Sequence, residues 1–135
     1  MRVLTTFDWI LRIAGSVALV LGLLIWTFQL DIVSLHMLFG LLVALALLVI
    51  SILSALTRPL RVLGIVGIVY AFVLPLLGLN QETLLVGSLH WIIEIVHLIV
   101  GIGALALGGV MSTRYRRLQR SRASSSSESV NAQTP

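Results

Sequence analysis

Two stretches of this chain are too long, too apolar and too free of charge for the core of a soluble domain of its size. Ile13 to Leu30 runs eighteen residues without a charge, and Ile32 to Thr57 runs twenty-six. A helix needs about 20 such residues to cross a hydrocarbon core of about 30 Å. Two further apolar runs follow, from Leu60 to about Leu79 and from Leu84 to about Thr113, the last interrupted by one acid, Glu94. Lipid offers no hydrogen-bond partner to the backbone, so segments of this kind must fold as helices. With 59% of 135 residues hydrophobic and only 10% charged, there is too little polar surface to cover a soluble core. The sequence therefore predicts an all-α fold. It is a four-helix transmembrane bundle spanning about 7–28, 32–56, 60–79 and 84–113, in a membrane domain of residues 1–120. Residues 121–135, rich in Ser, Ala, Gln and Asn, read as a disordered cytoplasmic C-terminal tail.

The first span is expected to be retained rather than cleaved, because it lacks a small-x-small cleavage site and ends in Ile25-Trp26-Thr27-Phe28. Asp8 and Arg12 stand four residues apart and should pair on its surface, while Trp9 and Trp26 suit aromatic anchors at the two interfaces. Gly15, Ser16 and Gly22 form a small-residue seam for a neighbouring helix, as do Gly64 and Gly67 in the third span. Asp31 with Ser34 resembles a helix start, Pro59 suits the first turn of the third span, and Pro75 should kink that span near its far end.

All nine basic residues are arginines, and they flank one side of the spans: Arg2 and Arg12, Arg58 and Arg61, then five between Arg114 and Arg122. The other two turns carry only Asp31 and Glu82. This asymmetry predicts a multi-pass protein of the cell (cytoplasmic) membrane with both termini in the cytoplasm. Because the basic residues sit beside apolar spans, the charge marks topology, and no nucleic-acid partner is expected. There is no cysteine, so disulfides, CxxCH haem attachment and thiolate-held metal are excluded.

The chemistry lies in Ser88 to Gly101, SLHWIIEIVHLIVG, which sets His90, Glu94 and His97 along one stripe of an apolar helix, the imidazoles about 10 Å apart along the axis. Facing lipid, such a stripe costs several kcal/mol, so it should face the bundle interior. The second span carries His36. Counted from Arg58 it lies about 33 Å along its helix; counted from Arg114, His90 lies at about 36 Å and His97 at about 25 Å. His36 is thus bracketed by the other two. His36 and His97 are each followed one turn later by glycine, Gly40 and Gly101, which leaves room for a flat group against either helix. Three readings stay open. His36, His90 and His97, with Gly40 and Gly101, could hold haem b. His36, His90, Glu94 and His97 could instead form a shell for Zn, Cu or Fe. Or they bind no cofactor and hydrogen-bond one another, Tyr70 or the serine hydroxyls as a structural network. Ser51 and Ser54 have no base nearby, and no catalytic residue is identified.

The pairing of LHMLFG in the second span with HWIIEIVHLIVG in the fourth resembles a group of small, largely uncharacterised four-helix bacterial integral membrane proteins, over roughly Phe7 to Met111. More loosely, intramembrane histidines followed by small residues are similar to those of b-type membrane cytochromes. That resemblance implies His36 with His97 or His90 as axial ligands. Three histidines are one short of two bis-histidine sites, which leaves a second haem without its ligands. The implied function is electron transfer or redox sensing, since bis-histidine ligation leaves no open coordination position for oxygen chemistry. Expected partners are the lipid bilayer, a quinone or a redox partner subunit, and a second copy of the chain. The alternatives are a non-catalytic membrane protein or accessory subunit with structural histidines, and a metal-ion or proton-handling membrane protein.

Overall fold

The computed structural model describes residues 2–81, 83–84 and 87–131, and among them only helices and their connections occur. Four helices follow in chain order: α1 (Arg2–Phe28), α2 (Val33–Ala55), α3 (Arg61–Asn80) and α4 (His90–Asn131), with a short 3-10 turn at Arg58–Leu60. All four are long and apolar enough to cross a membrane. Large apolar side chains cover the outside, among them Phe72, Leu76 and Ile99, as a surface in contact with acyl chains requires. Trp9 and Trp26 are both exposed near opposite ends of α1. The molecule is a small multi-pass integral membrane protein.

The connections show how local chemistry sets the helix ends. α1 stops where Gln29 turns to φ 53°, its amide still donating to the Ile25 carbonyl at 2.9 Å, a left-handed residue closing the helix. The expected Asp31/Ser34 start does not cap α2: Ile32 occupies that position without a side-chain hydrogen bond. Pro59 sits in the 3-10 turn, whose Leu60 amide donates to the Thr57 carbonyl at 2.8 Å. α3 runs through Pro75, whose missing N–H leaves the Ala71 carbonyl without its helical donor.

α4 departs from expectation at both ends. It begins at His90 rather than Leu84, because Gly87 adopts φ 91° and the chain turns there, the His90 amide donating to the Gly87 carbonyl at 3.2 Å. His90 is therefore the first residue of the helix and not part of its interior. Glu82, counted among the acids of that turn, lies outside the described residues. At the other end the helix continues through Asn131. In place of an unstructured start to the tail at Ser121, serine hydroxyls donate to carbonyls one turn back: Ser121 to Arg117 at 3.2 Å and Ser125 to Ser121 at 3.0 Å. Residues 121–125 are all exposed, and residues 132–135 of the expected tail lie outside the described residues.

Packing relies on small residues accepting large ones, since lipid gives apolar side chains no reason to leave it for one another. α2 packs most extensively, against α1 and α3. Gly64 of α3 lies on the Ala55 and Ser51 backbone of α2, and Gly67 on the Ser51 hydroxyl. Between α1 and α4 the arrangement is reciprocal: Leu105 sits on Gly15, and Leu11 on Gly108. Ser51 and Ser54, fully buried, donate to the Leu47 and Ile50 carbonyls of their own helix at 2.6 and 2.8 Å.

One ion pair fastens the first helix to the last. Asp8, 3% exposed, accepts from Arg116 Nη2 at 2.7 Å, and the expected partner Arg12 reaches the same oxygen, Oδ2, at 3.3 Å. Nearly every fully buried large side chain lies toward this arginine-bearing end: Leu11, Leu47, Ile50 and Met111. At the other end, neither residues 19–28 of α1 nor residues 33–42 of α2 include a buried side chain.

A methyl group at Gly64 would fall on backbone atoms of Ala55 and Ser51, which cannot rotate away. Gly64→Ala should therefore cost about 1–3 kcal/mol, read as a lowered unfolding midpoint in detergent, while Gly109→Ala, where that face is open, should leave the midpoint unchanged.

Candidate functional site

The loosely packed end holds a cavity of about 710 Å³ between the helices. His36, Gly40, Glu94, His97 and Gly101 all line it, with Leu and Ile side chains making most of the remaining wall and Ser34 and Gln81 at its rim. Its size falls in the range of ligand and cofactor sites, about 300–1,000 Å³.

Depth counting left His36 level with either histidine of α4, and the structure brings it to His97. The ring centroids are 6.0 Å apart, with planes inclined at 63°. His90 stays apart from this pair, since α4 starts at His90 and places it a full turn beyond the cavity wall; its closest acidic partner is Glu94, at 3.9 Å. Among the described residues, no three His, Asp or Glu side chains gather closely enough to hold one metal ion, so the four-residue shell of His36, His90, Glu94 and His97 is not assembled.

Each imidazole of the close pair is seated on a glycine from a third helix. His36 Nδ1 lies 2.9 Å from the Ala18 carbonyl of α1. A carbonyl only accepts, so Nδ1 is the donor in this bond, which leaves Nε2 as the nitrogen not engaged by it. That bond depends on Gly22. It lies one turn after Ala18, and a β-carbon there would stand 3.0 Å from His36 Cε1 and 3.4 Å from Nδ1. The bare backbone at Gly22 lets the ring reach a carbonyl that a side chain would cover. His97 is seated likewise against Gly78 of α3, where a β-carbon would come within 3.3 Å of its Cε1. His97 Nδ1 is buried and has no hydrogen-bond partner, an unmet requirement for a polar atom within a bundle.

Gly40 and Gly101, picked out as spacers one turn below the histidines, have nothing within 4 Å of where a β-carbon would stand. They open onto the cavity and touch neither ring. The seats themselves, Gly22 and Gly78, were legible only in part. Gly22 belongs to the small-residue seam of α1, but no local signal ties Gly78 to a histidine nineteen residues on. The structural network expected as an alternative is not made through hydroxyls: Ser51 and Ser54 bond their own helix, and the Tyr70 hydroxyl lies against Gly103.

Fold and site together define a class: a four-helix integral membrane protein with an imidazole pair beside an apolar intramembrane cavity. No protein-family model matches the chain, and no curated protein or solved structure matches it significantly.

Because the chain has no cysteine, paired cysteine substitutions report proximity without background. His36→Cys with His97→Cys should be bridged by a short bifunctional thiol alkylator and become fluorescent, whereas His36→Cys with His90→Cys should not. Equal labelling of both pairs would refute the separation of His90 from the site.

Proposed function

We propose that this membrane protein holds one b-type haem at the cavity, with His36 and His97 as axial ligands, and serves electron transfer or redox sensing in the cytoplasmic membrane. The observation that carries the reading is the convergence of two imidazoles from α2 and α4, at 6.0 Å, beside an apolar cavity. The residues present fit the group. Imidazoles from two different helices would supply the nitrogen ligands that a b-type haem takes. The buried, unpartnered His97 Nδ1 shows bonding capacity in the pair that the protein itself leaves unused. Gly40 and Gly101 leave bare backbone on the cavity side, where a flat macrocycle needs it.

When bound, the haem supplies a one-electron couple, and two imidazole ligands leave no open position on iron for oxygen chemistry. The rest is the work of the chain. The Ala18 carbonyl fixes the tautomer of His36 and makes its Nε2 a better donor. Leu19, Leu38 and Leu41 give the cavity apolar walls, and Glu94 among its lining residues lies 3.9 Å from His90, one turn back along α4. A lipid-soluble redox partner such as a quinone reaches this cavity from the bilayer, between side chains that themselves face lipid.

The His36–Ala18 bond also favours a second reading, in which the histidine ties α1 to α2 and carries no group. Spectra separate the two. Protein purified in detergent from haem-replete cells should show a Soret band that His36→Ala and His97→Ala each abolish and His90→Ala retains. A colourless preparation that haemin leaves without a Soret band, together with a lowered unfolding midpoint in His36→Ala, would replace the haem reading with the structural one.

The arginine-bearing ends of the helices are assigned to the cytoplasm. In right-side-out membrane vesicles, Ser125→Cys should resist an impermeant maleimide until the vesicles are opened, and Thr83→Cys should react at once; the reverse pattern inverts the topology.

A further inference from the structure

A second cavity, of about 790 Å³, lies as a groove between α1 and α4 toward the arginine-bearing end, sharing Leu105 but no other lining residue with the histidine cavity. Its floor is small: Ser16, Ala106 and Gly109, the last with nothing within 4 Å of where a β-carbon would stand. Arg12, Arg114 and Arg117 stand at its mouth. Asp8 engages Arg12, but it accepts its shorter bond from Arg116. Among the described residues, Arg114 and Arg117 have no acidic partner. The groove is thus an apolar slot ending in uncompensated positive charge, and its long axis follows that of α4. From Ile102 to Arg114 it extends about 18 Å, close to the depth of one leaflet's acyl chains, about 15 Å.

We infer that this groove is a binding site for one anionic phospholipid, its phosphate held by Arg12, Arg114 and Arg117 and an acyl chain lying over Gly109. The guanidinium groups carry the anion recognition, since their planar N–H fork matches phosphate oxygens. The bare backbone at Gly109 and the small side chains beside it carry the shape, admitting a chain between helices that elsewhere interlock through Leu105 and Leu11. A basic run attracting an anionic surface in general needs no groove, and this difference makes the site testable apart from topology.

Native mass spectrometry of the full chain, exchanged into detergent with either phosphatidylglycerol or phosphatidylcholine of identical acyl chains, reads the site directly. One phosphatidylglycerol per chain should be retained, with phosphatidylcholine held about tenfold less or weaker. Arg114→Gln and Arg117→Gln should each weaken phosphatidylglycerol by about fivefold. Gly109→Leu, which fills the groove without adding or removing charge, should do the same while helical circular dichroism stays unchanged. Val110→Trp, placed on the groove wall from an exposed position, serves if Gly109→Leu does not fold. Equal retention of the two lipids overturns the proposal. So does full retention of phosphatidylglycerol by the groove-filling variants, which would assign the attraction to surface charge alone.

Discussion

Inside a bilayer a polar side chain finds its partner in the protein or has none, and the arrangement of this bundle follows from how its few polar groups meet that constraint. Serine meets it cheaply, by donating to a carbonyl of its own helix, as Ser51 and Ser54 do. Imidazole is too wide for that. His36 reaches across to α1, and the carbonyl it finds is accessible only because the residue one turn further on is Gly22. Gly22 therefore leaves the Ala18 carbonyl open to the His36 ring, and the bond made there ties α2 to α1. The His97 ring is set down on Gly78 in the same manner. It lacks the corresponding carbonyl and keeps a buried nitrogen unpartnered. The two otherwise similar seats thus differ in one respect: the His36 ring is hydrogen-bonded across the helix contact and the buried His97 nitrogen is not.

Charge at the other end obeys the same constraint. Asp8 is nearly inaccessible, and two guanidinium groups converge on one of its oxygens, from Arg12 on its own helix and Arg116 on α4. A carboxylate held this way joins the first and last helices, which no short connection links. Breaking a partly buried pair leaves a charge without compensation, so it acts as a register mark for α4 against α1. The interlocked Leu105 on Gly15 and Leu11 on Gly108 then follow from that register.

Much of this was readable from residues whose partners lie within a few positions or whose pattern repeats along a helix. Four spans follow from charge-free length, the Asp8–Arg12 pair from a spacing of four, and the meeting of His36 with an α4 histidine from counting 1.5 Å per residue. Which α4 histidine it meets was not readable. The choice turns on where α4 begins, and that is set by the left-handed backbone at Gly87, a conformation that nothing in SLHWIIEIVH dictates. Arg116 as the closer partner of Asp8 was likewise hidden, because its place in the stop-transfer run explains it fully without any contact across 108 positions. The helix beyond Ser121 runs against composition: residues 121–125 are exposed, and serine hydroxyls there donate to carbonyls one turn back.

These elements give the bundle a tight end and a loose one. At the arginine-bearing end, α2 and α3 are joined through the short turn at Arg58–Leu60, Asp8 clamps α1 to α4, and the fully buried side chains gather. At the far end α1 and α2 lose their buried positions and the helices part around the imidazole pair. A cavity in a lipid-embedded bundle is tolerable only where the remaining contacts hold the helices without it, because lipid exerts no pressure to close it. The packed half therefore has to carry the fold, which leaves the open half able to keep two imidazoles in place beside empty space. Small residues do opposite work in the two halves: Gly15, Gly64, Gly67 and Gly108 bring helices into contact, while Gly40 and Gly101 keep a wall bare. Of the glycines lining the cavity, Gly40 and Gly101, one turn from His36 and His97, are the two beside which no neighbouring side chain has moved in.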